Sequence, residues 1–208
     1  MKGFILKEFL LLKKGMGPYF AFLMVAALFF SITAGVSATA SMIPFFFSIL
    51  IISTFSYDDM ARWDPFAVST PVSRKRIVNA KYITAFLFSL LGALTSCLIS
   101  LVVLLIQKQP WTFEITLCIL VAMGSSLLLN AVMIPLIYRF GAEKARLFLI
   151  LLVFIPIGLG ILAQNMGFQI SVGQETVVSL MAFSPVLASL LLIPSCMISQ
   201  RIYINKEF

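Results

Sequence analysis

What most constrains this chain is a succession of apolar runs that carry no charge. Pro18 to Phe55 contains no Asp, Glu, Lys, Arg or His, and neither do Ile83–Ile106, Ile115–Tyr138, Leu147–Gln164 and Thr176–Ile198. A helix needs about 20 apolar residues to cross about 30 Å of hydrocarbon, and lipid tolerates a helix because its backbone groups pair internally. The first run is long enough for two spans, with small and hydroxylated residues in "SITAGVSATAS" as the turn between them. The expected fold is therefore an all-α integral membrane protein with six spans, at residues 18–36, 37–55, 83–106, 115–138, 147–164 and 176–198, forming a single transmembrane domain over 1–208.

Composition agrees. The chain is 61% hydrophobic and 11% charged, with a mean hydropathy of +1.08, too few charges to clothe a soluble domain of 208 residues. The net charge of +7 is read against a membrane, where Lys and Arg mark the cytoplasmic side, so it does not point to nucleic acid. With the N-terminus inside, 14 of the 15 basic residues fall on one side of a six-span arrangement and Lys108 alone falls on the other, which predicts an N-in, C-in topology. The external connections are then short.

The spans lack the groups that membrane chemistry uses. None contains Asp, Glu, Lys, Arg or His, so ion relays, metal-activated water and a base for a serine nucleophile have no side chains to rest on. Cys97, Cys118 and Cys196 stand singly in apolar runs and read as small core residues, so no metal site and no catalytic residue is expected. Asn130 reads as a hydrogen-bonding link between helices. No GxxxxGK[ST] stretch is present to cradle phosphates. Such a protein is passive or is driven by a partner at its cytoplasmic segments.

Three of those segments have character. In "MKGFILKEFLLLKK", Phe4, Ile5, Phe9 and Leu12 form an apolar face while Lys2, Lys7, Lys13 and Lys14 reach headgroups, which predicts an interfacial helix over 1–16. In the 57–82 loop, Ser56 with Asp59 resembles a capping box, Asp58 and Asp59 would occupy a first helical turn, and Asp64-Pro65 offers a second start. Met60, Trp63 and Ala67 would share a face, with Trp63 and Phe66 as aromatic contact residues. In "STPVSRKRIVNAKY", Ser73 caps the next helix, and Arg74, Lys75, Arg76 and Lys81 read as anchors at the headgroup level in contact with anionic lipid.

Taken together, "MKGFILKEFLLLKK", "SYDDMARWDPF" and "STPVSRKRIVNAKY" resemble the small six-span permease subunits of ABC-2 type transporters, a group that includes exporters of phenol-soluble modulins. The resemblance implies a permease of the bacterial cytoplasmic membrane that pairs with a second permease subunit, identical or not, and with a separate ABC ATPase that binds ATP and Mg; this chain would hold no cofactor. It also implies a coupling helix in the first cytoplasmic loop, with Asp58, Asp59, Met60, Trp63, Asp64 and Phe66 as ATPase contacts. Dimer contacts would lie on the first and fifth spans, where Gly158 and Gly160 beside Pro156 are the small-residue candidates; Gly92, Ser96 and Ser100 on the third span are the alternative. The expected cargo of the exporter is hydrophobic or amphipathic, such as a toxin or antimicrobial peptide. A non-transporting immunity or scaffold protein is the competing reading.

Overall fold

The computed structural model describes residues 2–69, 72–145 and 174–206, together with 147, 148, 150, 151, 154, 158 and 162. Among them the regular structure is all helical: α1 (Lys2–Thr33), α2 (Val36–Met60), α3 (Trp63–Ser69), α4 (Arg74–Gln107), α5 (Phe113–Phe140), α6 (Gln174–Ala182) and α7 (Ser184–Ile204). Helices α2, α4, α5 and α7 are each long and apolar enough to cross a membrane, and Ala21–Thr33 within α1 is a shorter apolar stretch. The fifth expected span, 147–164, falls largely outside the described residues, as do Pro156 and Gly160. Gly158 is helical, and no atom of the described residues lies within 4 Å of where its Cβ would stand.

The hairpin turn lies where the small residues predicted it. α1 ends at Thr33, and Gly35 takes φ 88°, a left-handed value that a residue with a Cβ adopts only at a cost, before α2 begins at Val36. α2 packs on α4 and α5, α5 on α7, and α1 on α2 and α4. Their shared core includes Phe47, Phe55, Phe88, Leu127, Ile134, Tyr138 and Tyr203.

Small residues set how closely the helices approach. A Cβ on Gly92 would stand 2.9 Å from the Pro44 Cα, so α4 lies directly against the backbone of α2. Ser96 on the same stripe donates to the Ala40 carbonyl at 2.7 Å. Gly92 and Ser96 are thus committed within the chain, which removes the third-span stripe as a dimer seam. Ser48 donates to the Ser126 carbonyl, and the Ser89 and Ser126 hydroxyls meet at 3.0 Å, tying α2, α4 and α5. Asn130 does not form the expected link among the described residues: it is fully buried and neither amide atom has a partner there.

Gly124 makes the tightest of these approaches, since a Cβ there would meet the backbone carbonyl carbon of Ser184 at 2.8 Å. Gly124→Val is therefore expected to push α5 from α7 and cost about 1–3 kcal/mol. A thermal unfolding midpoint in detergent equal to that of the wild type would show that the contact is not rigid.

Several element boundaries differ from the sequence reading. α1 is one uninterrupted helix, not an interfacial helix followed by a span, and Phe4 and Phe9 pack on the core, Phe9 against Phe88 at 5.0 Å. α2 continues through Met60, so Asp58 and Asp59 lie in its last turn and the capping box does not form. Met60 ends α2 and is exposed, so it does not share the core-facing side of α3 on which Trp63 and Ala67 lie. Ser73 stands at the N-cap of α4, but its side chain makes no capping bond. The sixth span breaks at Phe183, and the spanning helix runs on to Ile204.

Candidate functional site

The basic stretch that opens α4 lies beside the end of α2, the start of α1 and the short α3. Four charged side chains meet there. Lys81 contacts the Glu8 carboxylate at 2.8 Å and that of Asp58 at 2.6 Å, and Lys7 contacts Asp58 at 2.6 Å and Glu8 at 3.2 Å. Thr54 accepts a further hydrogen bond from Lys81 at 3.1 Å. Glu8, Asp58 and Lys81 are 3%, 7% and 6% exposed, so two cations and two anions are held together almost out of water.

Local sequence explains why each group is there. Asp58 lies at the C-terminal end of α2, where the helix dipole opposes a negative charge, and Lys7 and Lys81 offset that penalty. Glu8 is brought in because Phe4 and Phe9 turn that face of α1 onto the core. Aromatic rings flank the cations: Lys81 sits 4.4 Å from the centre of Phe55 and Lys7 4.2 Å from that of Trp63. A cavity of about 20 Å³ is left among these side chains, room for about one water.

From the cluster the network extends outward. The Asp59 carboxylate accepts from the backbone N–H of Ala142 at 3.3 Å. Tyr203 donates to Asp64 at 3.2 Å, and Lys206 approaches the same carboxylate at 3.9 Å. Burial raises the Asp64 carboxyl above its usual pKa, opposed by Lys206 and by the Tyr203 hydroxyl. Arg74 donates to the carbonyls of Ile204 at 2.6 Å and Lys206 at 3.2 Å, satisfying the open C-terminal end of α7.

The basic run therefore divides. Lys75 and Arg76 are exposed, as headgroup anchors would be, whereas Lys81 is buried in the ion cluster and Arg74 caps α7. Lys7 is likewise turned into the protein, away from headgroups.

The expected contact residues divide as well. Asp58 is buried, and Asp59 and Asp64 are engaged by Ala142 and Tyr203. Trp63 packs on the core beneath Lys7 and lies 5.3 Å from Phe66, so it is no free anchor. Met60, 82% exposed, and Phe66, 59% exposed, project from this end beside Tyr57.

Sequence reasoning missed the ion cluster, although one signal was present: Glu8 is the single acid in an N-terminal segment read as a cationic interfacial helix. Each carboxylate of the cluster is held by lysine, and among the described residues no three His, Cys, Asp or Glu converge as metal ligands. The cluster joins α1, α2 and α4 where α3 is attached.

Compared with known proteins, the chain is matched over residues 3–204 by the family model described as ABC-2 family transporter protein. No curated protein and no solved structure gives a match.

Proposed function

The chain belongs to the ABC-2 family of transporter proteins and is a multi-pass membrane component, and on that premise we propose that it is the permease subunit of an ATP-driven exporter, paired with a second permease subunit and a separate ATPase. Its cargo is a hydrophobic or amphipathic molecule such as a peptide, in keeping with spans that carry no Asp, Glu, Lys, Arg or His. The observation that carries this reading is the pairing of α3 with the ion cluster. The short helix α3, which carries the exposed Phe66 and follows the exposed Met60, is joined through Trp63 to Lys7, and through Lys7, Asp58, Glu8 and Lys81 to α1, α2 and α4.

The mechanism follows from that linkage. ATP binding draws the ATPases together and displaces the surface they hold, and α3 moves with it. Because α3 adjoins a cluster whose separation would expose unpaired charges in a low-dielectric setting, the force passes to the bases of α1, α2 and α4 rather than being lost in a loose loop. A packed bundle responds by switching between two arrangements, which gives alternating access.

The test is purification of the full chain from its native membranes in mild detergent. A vanadate-sensitive ATPase is expected to copurify, and its hydrolysis rate is expected to rise in proteoliposomes that contain the chain. A chain that purifies without an ATPase and leaves hydrolysis unchanged would favour the immunity or scaffold role.

A further inference from the structure

Between α4 and α7 lies an open groove of about 600 Å³, and its two ends differ. Asn79 and Gln200 face each other at the end near the ion cluster, where the Gln200 amide and the Cys196 thiol both donate to the Asn79 carbonyl, at 2.6 and 3.3 Å. Beyond them the walls become apolar: Ile83, Phe86 and Leu87 on α4, and Leu192, Ile193 and Met197 on α7. Ile193 and Met197 are 61% and 57% exposed.

We propose that this groove is a binding site for one anionic phospholipid of the cytoplasmic leaflet, its acyl chain along the groove and its headgroup at the Asn79–Gln200 end. Two observations select that occupant. From Ser189 to Gln200 the α7 wall rises about 16 Å, close to the roughly 15 Å of one leaflet, so the groove spans the depth of a single acyl chain. Near its polar mouth stand Lys75 and Arg76, four and three residues before Asn79 and so on its side of α4, and Arg201, four residues after the groove residue Met197 on α7. All three are exposed and none forms an ion pair among the described residues. The Asn79 carbonyl already accepts two bonds while its NH2 group is left to donate, which suits an ester carbonyl of the lipid. A zwitterionic headgroup would bring the same phosphate but set a further cation beside these three. The site does not depend on the transport reading and would exist equally in a scaffold.

Native mass spectrometry of the full chain released from nanodiscs of equal phosphatidylglycerol and phosphatidylcholine tests this. The wild type is expected to retain one phosphatidylglycerol. The Lys75→Gln/Arg76→Gln/Arg201→Gln variant, which alters only exposed side chains, should lose the preference for phosphatidylglycerol by about tenfold or more. Ile193→Trp, which fills the groove from an exposed position, should retain neither lipid. Retention of both lipids alike by the wild type, or of phosphatidylglycerol by Ile193→Trp, overturns the proposal. So does a change of oligomer size in Ile193→Trp with lipid retention intact, which would place a second copy of the chain in the groove.

Discussion

Lys81→Met is expected to be the most destabilising single substitution at the end of the bundle that carries α3, at about 3–5 kcal/mol. The methionine fills much of the same volume, so the loss is electrostatic. Lys81 contacts Glu8 at 2.8 Å and Asp58 at 2.6 Å, and without it two carboxylates less than a tenth exposed share only Lys7. Removing one partner of a buried ion pair leaves an uncompensated charge, which costs far more than the pair itself contributes. Adding Glu8→Gln to Lys81→Met should recover a large part of the loss, because Lys7 and Asp58 then remain as a balanced pair at 2.6 Å. Unfolding midpoints of the two single variants and the double variant in detergent measure this coupling. A Lys81→Met protein as stable as the wild type would show that the cluster does not hold the helices together.

Met60→Ser/Phe66→Ser is expected to behave in the opposite way, leaving the fold intact and removing the ATPase. Both side chains are mostly exposed, so their replacement should shift stability by no more than about 0.5 kcal/mol. If they enter a groove on the ATPase, truncating an aromatic anchor such as Phe66 costs about 2 kcal/mol or more, a roughly thirtyfold loss of affinity. Arg76→Gln serves as the control, since removing one exposed charge costs about 1 kcal/mol of attraction to anionic lipid and does not touch the apolar contact. Trp63→Ala is a poorer probe, because Trp63 packs beneath Lys7 and against the core, so its loss would disturb fold and partner together. Undiminished ATPase binding by the double variant in well-inserted protein would move the contact away from Met60 and Phe66.

The membrane class, the hairpin at residues 34–35 and the presence of a short helix near Asp64 were all legible in the sequence. Each rests on a window of a few to about 20 residues whose hydropathy or turn chemistry acts locally. The helix ends were not. By local rules Asp58 and Asp59 should begin a helix, yet they end one, because lysines from α1 and α4 supply the charge that the α2 terminus disfavours.

The roles within the basic run were hidden for the same reason. Arg74, Lys75, Arg76 and Lys81 look alike as residue types, but turns of a single helix aim them differently, and only the packing of α1, α2 and α7 decides which become buried ion pairs or caps and which stay at the surface. The Gly92 and Ser96 stripe was ambiguous too, since small residues mark a close approach without naming the partner. Hydropathy thus determined that these segments enter a membrane, while the pairing of Lys7 with Asp58, Glu8 with Lys81 and Gly92 with Pro44 arose only when distant segments were brought into contact.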